Sequence, residues 1–236
     1  GTQYTPDGSP NLSDLTFLPK AGFTGSVQIG YEGTDSRGKT FRGQIRIQVN
    51  QGSGSRYFQD MGSYAWAAPY VDLLYEAGVI TGTGGQRYRP ADAVSRGDFM
   101  LMLYRAFQLT PASGAGFPDV PPGSYYAQAI QAARAAGIAS GYPDGGFHPQ
   151  EPVTRQDAMV LLERTMQATG WSLGAANTGY LSGFRDGGMV APYAQEAMSH
   201  MIEYGIITGT PEQKLNPIQS ISRAEMAVML ARAITF

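Results

Sequence analysis

The sequence predicts a mainly α protein in which three tandem helix–loop–helix repeats follow a small N-terminal antiparallel β segment. Three observations carry this. Residues 1–50 alternate apolar and polar positions at period two. From residue 57 onward, apolar residues recur at three-to-four spacing. That second part also repeats one set of landmarks three times.

The β segment comes first. Val27 and Ile29 share one face of SVQIGY, and Phe41, Ile45, Ile47 and Val49 share one face of TFRGQIRIQV. Between them lies GTDSRGKT, residues 33–40, which spells the G-x-x-x-x-G-K-[ST] phosphate loop. That loop needs a helix to follow, whose N-terminus faces the phosphates. Here a β-branched, alternating run follows instead, so GTDSRGKT is a hairpin connection and no nucleotide site is expected.

The repeats align on arginine. Arg96, Arg155 and Arg223 stand in AVSRGD, PVTRQD and SISRAE. Six residues before each is a proline (Pro90, Pro149, Pro217), and fourteen before each is a glycine (Gly82, Gly141, Gly209). Eighteen before each is another glycine (Gly78, Gly137, Gly205), and nine after each is a second arginine (Arg105, Arg164, Arg232). Upstream lie F-x-D signatures, Phe58/Asp60, Phe117/Asp119 and Phe184/Asp186, each followed by an aromatic: Trp66, Tyr125 and Tyr193. Each first helix is expected to stop at its glycine. Each second helix is expected to open with a capping box, Ser95/Asp98, Thr154/Asp157 and Ser222/Glu225.

The domain reading is residues 1–50 as a partial β-sandwich segment, 51–56 as linker, and 57–112 and 116–170 as repeats one and two. Residues 171–182 form a longer linker, and 183–236 form repeat three. The chain has no cysteine, so disulfides and thiolate metal sites are excluded. A net charge of −2 and 15% charged residues leave no basic footprint for nucleic acid or acidic membrane. No apolar run approaches the ~18 residues of a membrane span.

Two resemblances follow from these motifs. LTFLPKAGFTGSVQIGYEGTDSRGKTFRGQIRIQV resembles the closing strands of bacterial Ig-like or cadherin-like surface repeats, which implies the tail of an exported domain and a chain that begins partway through a larger protein. Residues 57–236 resemble the S-layer homology family, whose repeats run F-x-D, W-A, G-[IV]-x-x-G-Y-x-D-G-x-F-x-P and I-T-R-A-E. The family resemblance implies a pseudo-threefold assembly around a central helical bundle, with grooves between neighbouring repeats. It also implies an extracellular, cell-wall location and a binding partner, the secondary cell wall polysaccharide with its pyruvate-ketal sugar. Repeat two alone keeps the loop, as Gly141-Tyr142-Pro143-Asp144-Gly145; repeats one and three have GTGGQ and GTPEQ.

The candidate ligand residues are Arg96, Arg155 and Arg223, placed directly after helix N-caps where a cation is disfavoured by the dipole. An anion would account for them: free N–H groups of the helix start and a guanidinium fork would converge on one carboxylate. The alternative is a structural ion pair with Asp60, Asp119 or Asp186. Trp66, Tyr125 and Tyr193 offer faces for sugar rings or ordinary packing. Gly82, Gly141 and Gly209 allow close backbone approach, and Tyr142 offers a rigid face beside them. The second arginine set, Arg105, Arg164 and Arg232, reads as structural. No catalytic residues, cofactor or metal are expected, since His148 and His200 are isolated and no nucleophile elbow occurs. The rival reading is a helical protein–protein module whose grooves receive neighbouring surface-array subunits.

Overall fold

A computed structural model describes residues 25–34, 38–49, 54–114 and 116–235. The F-x-P-x-x-G-F portion of the β segment, residues 17–23, lies outside them. Its contacts divide the chain into two compact units, residues 1–52 and 53–236.

In the first unit β1 (Gly25–Thr34) pairs antiparallel with β2 (Thr40–Val49), from Gly25 opposite Val49 to Thr34 opposite Thr40. The register sets Val27 opposite Ile47 and Ile29 opposite Ile45, so these two apolar pairs meet on one face. Gly43 opposes Tyr31, whose ring lies where a Cβ at position 43 would stand. No helix follows Lys39, in keeping with a hairpin.

The second unit contains six α-helices among the described residues. Repeat one supplies α1 (Ala68–Glu76) and α2 (Arg96–Ala106), and repeat two α3 (Ala127–Ala135) and α4 (Arg155–Ala168). Repeat three supplies α5 (Gln195–Glu203) and α6 (Arg223–Ile234). Each first helix packs on the second helix of the preceding repeat: α3 on α2, α5 on α4, and α1 back on α6. The apolar faces merge into one core that includes Phe99, Leu103, Met159, Leu162, Met226 and Leu230.

Just before each second helix, three buried residues bond one another in a closed ring. Val94 N–H donates to the Ile221 carbonyl (3.0 Å), Ile221 N–H to Val153 (3.1 Å), and Val153 N–H to Val94 (2.9 Å). Buried backbone donors need partners, and each repeat finds its own in another repeat.

The caps form as the sequence requires, with one difference. Ser95, Thr154 and Ser222 each accept the N–H of the third helical residue, at 3.1, 3.2 and 3.3 Å. The full box is present at Ser222, where Glu225 Oε2 accepts the Ser222 N–H at 2.9 Å. Asp98 and Asp157 are one methylene shorter; each instead accepts the cap hydroxyl, from Ser95 at 2.9 Å and from Thr154 at 2.7 Å.

Candidate functional site

Each arginine at the start of a second helix crosses to the loop of the next repeat. Arg96 Nε donates to the Phe147 carbonyl (3.1 Å), Arg155 Nε to Leu215 (2.8 Å), and Arg223 Nε to Tyr88 (2.7 Å). The helix N–H groups follow the same route. Arg96 and Gly97 donate to Glu151 and Pro149, both at 2.9 Å; Arg155 and Gln156 donate to Gln219 and Pro217, both at 2.9 Å. Arg223 and Ala224 donate to Asp92 (2.9 Å) and Pro90 (3.0 Å).

This corrects one expectation. The N-terminal N–H groups of these helices are not free for an anion: neighbouring loop carbonyls take the first two, and the N-cap takes the third. Those carbonyls also face the positive end of the helix, which explains why a cation is tolerated there. The prolines six residues before each arginine supply acceptor carbonyls, each for the second helical N–H of another repeat.

The acids of the F-x-D signatures hold the same loops from the other side. Asp60 accepts the N–H groups of Tyr88 and Arg89 (2.9 and 2.8 Å), and Asp119 those of Phe147 and His148 (2.9 and 2.7 Å). Asp186 accepts those of Leu215 and Asn216 (2.7 and 2.8 Å). Desolvation works against ionisation of Asp60 and Asp119, but these backbone donors outweigh it and hold both carboxyls below their usual range. Among the described residues these arginines form no ion pair with Asp60, Asp119 or Asp186; acid and arginine instead grip opposite sides of one loop residue, the acid its N–H and the arginine its carbonyl.

Two clefts result, each drawn from three repeats. The first is lined by Arg223, by Gly82, Asp98, Met102 and Arg105 of repeat one, and by Tyr125. The second is lined by Arg96, by Gly141, Tyr142, Asp157 and Arg164 of repeat two, and by Tyr193. Tyr125 and Tyr193 stand on the rims, 67% and 61% exposed, yet their hydroxyls turn inward. Tyr125 donates to Asp98 Oδ1 at 2.6 Å and Tyr193 to Asp157 Oδ1 at 2.8 Å. Desolvation of the hydroxyl and the adjacent carboxylate push both phenols up to about 12. The rings are thus pinned by one edge with their faces open.

The guanidinium groups are flattened against loop aromatics. Arg96 lies 4.6 Å from the Tyr142 ring centroid and 5.0 Å from that of Phe147; Arg223 lies 4.5 Å from that of Tyr88. The glycines Gly82, Gly141 and Gly209 keep the loops close to the F-x-D rings. An added Cβ would stand 2.6 Å from Phe58, 2.6 Å from Phe117 and 2.5 Å from Phe184 respectively.

Gly209, Trp66 and Arg155 belong by repeat position to the third junction, where Arg155 pairs with Glu225 at 3.0 Å. Asp60, Asp119 and Asp186 line neither cleft. Sequence reasoning gave Asp98 and Asp157 only a capping role and missed that they anchor the rim tyrosines. It also missed Tyr88 and Phe147, six residues after Gly82 and Gly141, whose common spacing was the available signal. Arg105 and Arg164, read as structural, line the clefts while Arg164 donates to the Ile138 carbonyl at 3.3 Å. Among the described residues no cluster of three or more His, Cys, Asp or Glu is disposed to hold a metal ion.

These features define a three-repeat helical module with ligand-sized clefts at its repeat junctions. The chain belongs to the S-layer homology domain family, whose sequence model matches residues 57–100, 116–159 and 183–227. It is 29% identical over 180 residues to a surface-layer 125 kDa protein of Lysinibacillus sphaericus, covering 75% of this chain and 14% of that protein. It is 28% identical over 174 residues to an endoglucanase of Bacillus sp. (strain KSM-635), covering 74% of this chain and 18% of that protein. It is 24% identical over 182 residues to an S-layer protein of Bacillus thuringiensis subsp. finitimus, covering 76% and 21%. The chain thus spans less than a quarter of each of these relatives. No helix among the described residues is long and apolar enough to cross a membrane.

Proposed function

We propose that residues 57–236 anchor a surface protein to the bacterial cell wall by binding secondary cell wall polysaccharide, with the carboxylate of a pyruvate-ketal sugar at the junction arginines. Family membership and the surface-layer relatives support wall anchoring. One observation carries the ligand reading. Arg96 is held by Phe147 and backed by Tyr142, and no carboxylate of the described residues forms an ion pair with it, although it lines a cleft between repeats. A guanidinium fixed in this way can receive a carboxylate through its planar fork.

The exposed ring of Tyr193 suits the C–H face of a sugar ring beside that carboxylate. The cleft measures about 250 Å³. That is below the roughly 300–1,000 Å³ of pockets for drug-sized ligands, and fits one sugar unit better than a long oligosaccharide. Asp60, Asp119 and Asp186 serve as loop supports in this reading. The three repeats form a pseudo-threefold assembly, a reading supported by the closed ring of Val94, Val153 and Ile221. Residues 1–50 belong to an Ig-like or cadherin-like surface repeat in this reading, supported by the paired Val27–Ile47 and Ile29–Ile45 of β1 and β2. In this reading the module binds rather than catalyses, and Asp60, Asp98, Asp119, Asp157, Asp186 and Glu225 serve in loop, cap and side-chain contacts.

Sedimentation with purified cell-wall sacculi tests this, with and without chemical removal of their non-peptidoglycan polymer. Binding that survives complete removal of the polymer would instead favour a protein–protein module.

A further inference from the structure

The three junction arginines are equivalent by sequence position but not by surroundings. Arg96 and Arg223 lie over loop aromatics, Arg223 with Nη2 also donating to the Thr81 carbonyl at 3.1 Å, and neither forms an ion pair with a carboxylate of the described residues. Arg155 meets the aliphatic Leu215 at the equivalent loop position, and its Nη1 lies 3.0 Å from Glu225 Oε1. The difference begins with the third helical residue, the acid of each cap. In repeats one and two it is aspartate, and both its oxygens are engaged, one by the cap hydroxyl and one by the rim tyrosine. In repeat three it is glutamate, while the rim residue at the corresponding position is Trp66, which has no hydroxyl. Ser222 fixes Glu225 Oε2 through its N–H (2.9 Å) and hydroxyl (2.7 Å), and the longer side chain carries Oε1 on to Arg155.

We propose that Glu225 closes the third junction to carboxylate ligands by occupying the Arg155 fork as an internal carboxylate. The inference rests on the polysaccharide reading above. Glu225 is held by its cap, so it competes for Arg155 at a high effective concentration without further ordering cost. An incoming carboxylate would also approach the negative charge of Glu225, which among the described residues forms its ion pair with Arg155. Carboxylate binding then belongs to the Arg96 and Arg223 clefts.

The test is calorimetric titration of the full chain with a methyl hexoside carrying a 4,6-O-pyruvate ketal, against the same hexoside without the ketal. Glu225→Asp keeps the cap chemistry of repeats one and two but falls short of Arg155, and Glu225→Gln keeps the length and cap while removing the charge. Either variant is expected to bind one more ketal sugar per chain than the wild type, and adding Arg155→Ala should abolish the gain. In the otherwise wild-type chain, Arg155→Ala should leave the number of sites unchanged, whereas Arg96→Ala should remove one. Equal stoichiometry in wild type and in a folded Glu225 variant, or loss of a site in Arg155→Ala alone, overturns closure by Glu225. A wild type that binds neither ketal sugar nor polymer overturns the underlying functional reading, and this inference with it.

Discussion

Arg96 and Phe147 stand 51 positions apart and meet twice: the Arg96 Nε donates to the Phe147 carbonyl at 3.1 Å, and the guanidinium lies 5.0 Å from the centroid of the same residue's ring. The backbone bond fixes one nitrogen and the ring fixes the plane. Both contacts restrict the rotamers open to Arg96, which lines the cleft.

Arg96→Lys should therefore weaken binding to pyruvylated polymer by about tenfold or more, although the charge is kept. An ammonium offers no planar fork and stacks poorly, and tenfold corresponds to about 1.4 kcal/mol. Co-sedimentation with pyruvylated polymer measures this, and undiminished binding by the lysine variant would refute a two-pronged carboxylate contact. Removal of the ketal from the polymer should produce the same loss, and the two losses should not add.

Asp119→Ala should destabilise the chain by about 1 kcal/mol at neutral pH, the low end for hydrogen bonds to a charged group because the carboxylate is largely exposed. Its pKa is lowered in the fold, so its contribution is present above the ordinary value of 3.8 and is lost as pH falls through the depressed folded value. Urea unfolding across the acid range should show wild type and variant converging only at the acid end. A gap that stays constant with pH would assign the effect to packing.

Gly141 has φ +77° and Gly145 φ +84°, but their surroundings differ. A Cβ at Gly141 would meet Phe117 at 2.6 Å and the Gly146 carbonyl at 2.9 Å, whereas at Gly145 it meets nothing within 4 Å. Gly145→Ala should cost about 1–2 kcal/mol, the left-handed backbone alone. Gly141→Ala should cost clearly more in denaturant melts. Equal costs would mean that the Phe117 contact relaxes freely.

His148 bridges Glu151 Oε1 (2.8 Å) and Asp144 Oδ2 (2.7 Å), and its ring lies against Tyr142 at 4.7 Å between centroids. Hydrogen bonds to Glu151 and then Asp144 raise its pKa above 6.5. Imidazolium can donate to both acids, but the neutral ring to one. The bridge therefore contributes fully below 6.5 and weakens as pH rises through the raised value. Affinity at the Tyr142 cleft should decline over that window and lose this pH dependence in His148→Gln. A variant with the wild-type profile would show that the bridge does not position Tyr142.

Much of this architecture was legible in the sequence because it is local. Caps three residues long, a glycine at a helix end and alternation along a strand each leave a pattern within a few residues. The partner of each arginine was not legible. Arg96 reaches forward 51 residues and Arg155 forward 60, while Arg223 reaches back 135, and identical motifs carry no sign of that direction. The inequality of the junctions was hidden for a different reason. Aspartate and glutamate both read as cap acids, and only the distance to Arg155 reveals what one extra methylene does.

The ring of Val94, Val153 and Ile221 also bears on how such a module could change over evolutionary time. An open stack of repeats can gain or shed a copy at either end, because each unit leans only on its neighbours. Here every copy gives a donor to one sister and takes one from the other, so the array has no end at which to add or subtract. Duplication or deletion of a single copy would each leave one donor and one acceptor of this ring unpaired. The heritable unit is the trio, and divergence within it, such as Asp98 and Asp157 against Glu225, leaves the circle intact.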